Sequence, residues 1–266
     1  MLKIKKINSN DISFSKNLQS HISKRKVNTS DIKEKVRMII SEVKSKRDTA
    51  LVKYSKEYDN YDVQSANELE ISKEECLEAL KKISKEELEA LKFARSRIQE
   101  FSEHQKTKPW NYTSKGITLG EKITAIDKVG LYVPGGSAAY PSSVLMNSIP
   151  AKVAGVKEIT MVFPSPKGKV NNMVLAAAYL GGVDRIFRIG GAHAVAALAF
   201  GTDTIPKVNM IVGPGSQYVA EAKKELYGEV GIDSFAGPSE ILVIADSSAN
   251  EEWIALDLFS QAEHDE

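Results

Sequence analysis

The sequence predicts an α/β protein in which a helical N-terminal layer precedes a doubly wound, mostly parallel sheet. Glycine and proline are confined to the later part: none of the 17 glycines precedes Gly116 and none of the 9 prolines precedes Pro109. The first 100 residues carry 22 of the 36 Lys and Arg, so the opening third is charged and poor in turns, as exposed helices are. From residue 129 onward a short apolar run, a glycine-bearing turn and a helical stretch recur, the pattern of strands joined by crossover helices.

Taken in chain order, Thr29-Ser30-Asp31 offers a helix N-cap. After it, Val36, Ile39, Ile40, Val43, Ala50, Leu51 and Tyr54 recur at helical spacing. Ser72 with Glu75 forms a capping box, with Ile71 placed as a hydrophobic staple. Ser84 with Glu87 repeats the pattern ahead of Leu88, Leu91, Ile98 and Phe101. This opening part reads as three or four amphipathic helices, whose simplest role is packing and oligomerisation. Pro109-Trp110-Asn111-Tyr112 closes it, and residues 117–126 alternate as a strand or hairpin.

Strands are expected at 130–133, 159–163, 185–189, 208–212 and 241–245, with helices at 144–154, 171–180, 193–200 and 217–227. The last segment, 251–266, is helical, capped by Ser247, Ser248 or Asn250, with Trp253, Ile254, Leu256, Leu258 and Phe259 on its apolar side. It carries no stop signal, so the chain is expected to be a fragment of a longer protein. The expected organisation is a helical region over 1–108, a nucleotide-binding-like α/β domain over 109–246, and the start of a further helix over 247–266.

A net charge of +1 provides no global field to attract nucleic acid or an anionic membrane, and neither partner is expected. The basic runs Lys3-Ile4-Lys5-Lys6 and Lys24-Arg25-Lys26 read as solvated helix faces. The lone cysteine, Cys76, excludes an internal disulfide and fits a reducing compartment. Glu74 and Glu75 beside it disfavour the thiolate, which leaves packing or surface as its role. With no secretory signal segment and no apolar stretch of membrane-spanning length, a cytoplasmic protein is expected.

Three turns could carry chemistry: Pro134-Gly135-Gly136-Ser137, Gly190-Gly191-Ala192-His193 and Gly213-Pro214-Gly215-Ser216. Each follows a strand, and ligands bind at the carboxyl ends of strands in open α/β sheets. Glycine there lets a phosphate reach backbone N–H groups at a helix N-terminus. None of the three is G-x-G-x-x-G or a P-loop, so each taken alone is equally a tight connection. Gln261 and His264 stand three apart on the last helix and so share a face, a geometry that can place an oxygen and an imidazole nitrogen on one metal. Taken alone, such a pair is more often solvated or capping. Pro238-Ser239 suits either a ligand-facing hydroxyl or a strand-entry turn. No Ser-His-Asp, Cys-His or paired-carboxylate arrangement emerges from spacing.

Five segments in this order resemble the histidinol dehydrogenase family: Val129-Gly130-Leu131-Tyr132-Val133-Pro134-Gly135-Gly136-Ser137-Ala138, Pro150-Ala151-Lys152-Val153-Ala154-Gly155-Val156, Gly213-Pro214-Gly215, the run from Ala236 to Asp246, and Ser260-Gln261-Ala262-Glu263-His264-Asp265. The resemblance covers essentially the whole chain as an N-terminal portion, and it implies a Rossmann-like sheet. It further implies a zinc- and NAD-dependent homodimer that oxidises L-histidinol through L-histidinal to L-histidine in histidine biosynthesis. By the same resemblance Tyr132 contacts NAD, Ser239 contacts substrate, and Gln261 and His264 bind both zinc and substrate. The family's catalytic glutamate–histidine pair, with an aspartate and a second histidine as further zinc ligands, matches nothing up to Glu266. Residues 247–266 are then the start of the metal-binding helix, and this chain alone is expected neither to oxidise histidinol nor to hold zinc tightly. His193 and Ser216 stand where the family commonly has Gln and Asn in its NAD site. They motivate the alternative expectation, a naturally short, non-catalytic relative that serves as a ligand-binding or interaction module.

Overall fold

The computed structural model describes residues 5–23, 29–135, 140–236 and 241–262, apart from the side chains of residues 29, 261 and 262. Five helices come first: α1 (Phe14–Ser23), α2 (Thr29–Lys46), α3 (Asp48–Asp59), α4 (Lys73–Lys82) and α5 (Lys85–His104). A two-residue strand, β1 (Glu70–Ile71), lies between α3 and α4. A hairpin of β2 (Trp110–Ser114) and β3 (Ile117–Glu121) follows, with both strands exposed. The repeating unit then runs β4 (Lys128–Tyr132), α6 (Pro141–Val153), β5 (Glu158–Val162), α7 (Asn172–Leu180), β6 (Arg185–Phe187), α8 (Gly191–Phe200), β7 (Met210–Val212), α9 (Gln217–Leu226) and β8 (Gly231–Ile232). The last described helix is α10 (Glu251–Ala262).

The main sheet has the order β1-β6-β5-β4-β7-β8. All neighbours are parallel except β1, which pairs antiparallel with β6. The chain steps from β4 outward to β5 and β6, then returns to the other side of β4 for β7 and β8. This is the doubly wound arrangement that the alternating pattern predicts, with its switch point between β4 and β7.

The N-terminal helices are divided between the two faces of the sheet. On one face α2 and α3 share a core with α8 and α9; on the other α4 and α5 share a core with α6 and α7. Strand alternation decides which residue goes where. Val129 and Leu131 enter the α4–α7 core, while Tyr132 enters the α2/α3/α8/α9 core. Arg37 of α2 pairs with Glu225 of α9 at 2.8 Å, tying that layer together.

Both capping boxes form. Ser72 Oγ accepts from the Glu75 N–H at 3.1 Å and the Glu75 carboxylate accepts from the Ser72 N–H at 2.9 Å. Ser84 and Glu87 repeat this at 3.1 and 2.7 Å. Ile71 and Cys76 are buried in one cluster, as a staple requires. Asn250 caps α10 through its Oδ1, which accepts from the Glu252 and Trp253 N–H groups. Because α2 begins at Thr29 itself, its cap falls on residue 28, outside the described residues. The run 24–26 also lies outside them, as do residues 3 and 4. Burial, followed by the charges of Glu75 and Glu74, pushes the Cys76 thiol up to about 11, so it packs as an unreactive thiol.

Several elements differ from the sequence reading: five helices open the chain rather than three or four, and the hairpin spans 110–121 rather than 117–126. Residues 241–245 form no strand, and Ile241, Leu242 and Ile244 are exposed. β-Propensity measures fit to a half-buried pleated surface, and no such surface meets this run. The edge strands β1 and β8 were not anticipated, each of two residues and too short for any periodicity; Glu70 anchors β1 by a bidentate pair with Arg185, both contacts 2.8 Å. The apolar side of α10 is present, with Trp253, Leu256, Leu258 and Phe259 exposed. Among the described residues no helix is long and apolar enough to cross a membrane.

Candidate functional site

The carboxyl ends of the central strands open onto a cavity of about 360 Å³, within the range of about 300–1,000 Å³ usual for small-molecule sites. β4 brings Tyr132 and, in the turn after it, Pro134 and Gly135. Pro164 follows β5; Gly190 through His193 make the turn from β6 into α8; Ser216 and Tyr218 stand at the start of α9. The N-terminal helices close the other side, α2 with Lys35 and Ile39 and the end of α3 with Tyr58 and Asp59.

Each of these positions has a local cause. Gly191 opens α8 at φ 65°, a conformation that L side chains rarely adopt, and its N–H donates to the Tyr132 hydroxyl at 3.0 Å. A Cβ on Gly190 would lie 2.5 Å from Pro164 Cβ, so these two turns close on each other only without a side chain. Gly213, at φ 109°, faces the Tyr132 carbonyl, which a Cβ would meet at 2.1 Å. That turn is clamped from below by Lys223 of α9, whose fully buried Nζ donates to the Gly213 carbonyl at 2.8 Å and pairs with Asp233. Asp233 in turn accepts from the Gly213 N–H at 2.8 Å. At the start of α3, Asp48 accepts from the Thr204 hydroxyl at 2.6 Å. The other end of the same helix delivers Asp59 to the cavity.

The electrostatics set this cavity apart from an ordinary core. Tyr132 is buried, and burial pushes its phenol up to about 12; the Gly191 N–H opposes the shift and the charge of Asp59 adds to it. The phenol therefore keeps its proton near neutral pH. His193 is 1% exposed, and both its ring nitrogens lack a hydrogen-bond partner. Burial holds its imidazole down to about 3, so the ring is neutral, packed 5.4 Å from Tyr54 and 6.0 Å from Tyr58 between ring centroids. Asp59 is 7% exposed with Oδ2 unpartnered, and burial pushes its carboxyl up to about 6. Lys35 places its Nζ 4.8 Å from the Tyr58 ring and 5.7 Å from the Tyr218 ring.

Of the residues singled out in the sequence, the fold brings Tyr132, His193 and Ser216 to this one cavity, with Gly135, Gly190 and Gly191 from two of the three turns. Ser239 and His264 lie outside the described residues, and Gln261 is described only as part of α10. Among the described residues no three His, Cys, Asp or Glu side chains gather closely enough to hold a metal ion. A dinucleotide does fit what is present: first-turn N–H groups of α8 at the sheet's edge, a protonated phenol, and two buried polar side chains with unused atoms.

Sequence reasoning missed Lys35, Tyr58 and Asp59, because they lie about seventy residues or more upstream of the turns that mark the site. One signal was present. Asp59 is the last residue of its helix, where the macrodipole disfavours a negative charge by about 0.3–1 kcal/mol.

Comparison with known proteins gives consistent matches. A family model described as histidinol dehydrogenase matches residues 22–266. The histidinol dehydrogenase of Nitrosomonas europaea is 52% identical over 267 residues, covering 100% of this chain and 62% of that protein. That of Hydrogenovibrio crunogenus is 50% identical with the same coverage. The crystal structure of histidinol dehydrogenase from Elizabethkingia anophelis superposes with a TM-score of 0.78 at 40% identity, over 87% of this chain and 53% of that one. The chain thus spans about three fifths of the length of the curated relatives it matches.

Proposed function

The chain belongs to the histidinol dehydrogenase family, and from that premise we propose that it supplies the cofactor-binding part of an NAD-dependent oxidoreductase. The reaction is oxidation of L-histidinol through L-histidinal to L-histidine, in histidine biosynthesis. The observation that carries the cofactor assignment is the cavity at the switch point, where Tyr132, the start of α8 and the unpartnered nitrogens of His193 converge.

When bound, NAD supplies the hydride acceptor. The chain's own residues bind and orient. The Tyr132 hydroxyl, already accepting from the Gly191 N–H, has its own proton to donate to a ligand oxygen. The first turn of α8 presents backbone N–H groups to a phosphate. Neutral His193 offers one N–H and one acceptor nitrogen, and the Ser216 hydroxyl offers a donor and an acceptor. Ser239, Gln261 and His264 are assigned to histidinol, with Gln261 and His264 as two of the zinc ligands. The acid–base pair is assigned to the part of the relatives that this chain does not span. The complete enzyme is assigned as a cytoplasmic homodimer.

Calorimetric titration of the purified chain with NAD, run beside an NADH assay with histidinol and zinc, tests this reading. The expected result is saturable binding of one NAD per chain and no turnover. Absence of NAD binding refutes the cofactor assignment, and robust NADH production refutes the placement of the acid–base pair. The departures at His193 and Ser216 favour a second reading, a ligand-binding or interaction module without catalysis. That reading gains if the chain binds AMP as tightly as NAD.

A further inference from the structure

Asp59 is a carboxylate that the fold does not need. It is 7% exposed, its Oδ2 has no partner, and it ends α3, where the helix dipole opposes its charge. No cation stands among the causes of its shifted acidity, which is burial alone. An asparagine of the same shape would serve the helix end better. Asp59 nonetheless lines the cavity, close enough for its charge to act on the Tyr132 phenol. That phenol rests on the Gly191 N–H at the first turn of α8. A buried acceptor therefore stands beside the place where a helix N-terminus receives a phosphate.

In doubly wound sheets a carboxylate further along the first βαβ unit takes the ribose hydroxyls of a dinucleotide. β5 is the corresponding strand here, and its carboxyl end reads Phe163-Pro164-Ser165, with no acid. The acceptor is missing from its usual place, and an unexplained one arrives from a helix upstream.

We propose that Asp59 is the ribose-binding residue of this cavity: its carboxylate accepts from the vicinal hydroxyls of the nucleotide and selects NAD over NADP. The selection follows from charge, since a 2′-phosphate would bring its negative charge against a buried carboxylate that has no counter-ion. Lys35, on the same cavity, favours the phosphate; as a residue it is half-buried where Asp59 is buried, and so better screened. This inference rests on the NAD reading above.

The test is titration of the chain, and of its Asp59→Asn and Asp59→Ala variants, with NAD and with NADP, together with a thermal melt of each protein. The unsubstituted chain is expected to bind NAD at least about tenfold more tightly than NADP. Both variants are expected to lose about tenfold in NAD affinity and to bring the NAD/NADP ratio toward one, since a lost hydrogen bond to a charged group is of that size. Asp59→Asn should melt no lower than the parent, which separates a binding role from a structural one. If Asp59→Asn keeps both the NAD affinity and the ratio, or if the parent prefers NADP, the inference is overturned while the cavity remains an NAD site. If the parent binds neither nucleotide, the NAD reading itself fails and the inference fails with it.

Discussion

On the face covered by α4, α5, α6 and α7, the interior is a continuous apolar cluster, from Ile71 and Cys76 through Leu145 and Met161 to Ile186. On the face covered by α2, α3, α8 and α9, an apolar cluster of similar extent gives way at the carboxyl edge to Asp59, His193 and Tyr132. Among the described residues the first of these faces holds no buried carboxylate or imidazole without a partner; the second holds one of each. Burying polar groups without partners is costly, typically about 1–3 kcal/mol each by mutational measurement. The α4–α7 face has its own unpartnered hydroxyl, Ser148 Oγ, but the carboxylate and the imidazole with unpartnered atoms both lie on the face that lines the cavity; on the proposed reading, the layer that stabilises the fold is separate from the layer that binds.

Leu145→Ala tests this separation with the largest expected effect. Leu145 is fully buried in the apolar face, and such truncations cost about 2–5 kcal/mol. Urea unfolding should show that loss, while NAD affinity of the folded protein stays unchanged. A parallel loss of affinity would show that the two faces act as one.

Asp59→Asn should move the other way. The carboxyl's rise from 3.8 to about 6 means that folding favours its protonated form. The penalty on the folded state is therefore full above about pH 6 and gone below about pH 4. At pH 7 the substitution should stabilise by about 2 kcal/mol, discounted from the full pKa difference. That gain should shrink steadily as the pH is lowered to about 4, and a gain independent of pH would contradict the assignment of a buried carboxylate. His193 runs opposite: its folded value lies below its ordinary 6.5, so its contribution is present above 6.5 and is lost as pH falls toward 3.

Ser84→Ala is the smallest test. It removes one half of the α5 capping box, and N-cap losses are typically about 1 kcal/mol. The melting temperature should fall slightly with no change in nucleotide binding.

What was legible in the sequence was what is local. Ser72 with Glu75, and Ser84 with Glu87, announce helix starts because both partners of each box lie within four residues. The glycine turns after β4, β6 and β7 announce the site's edge for the same reason. Asp59 was not legible as a site residue, since its meaning depends on α3 reaching a switch point whose first strand, β4, begins about seventy residues later. β1 and β8 escaped because two residues have no period. Residues 241–245 misled because an apolar run specifies a strand only where a surface exists to receive it.

A crystal structure of the chain soaked with NAD would bear most directly on the division between the two faces. The account predicts the nucleotide in the cavity beside Tyr132, its pyrophosphate at the first turn of α8 and its ribose hydroxyls within about 3 Å of the Asp59 carboxylate. Nucleotide bound elsewhere on the chain, or bound in the cavity with its ribose turned away from Asp59, would contradict it.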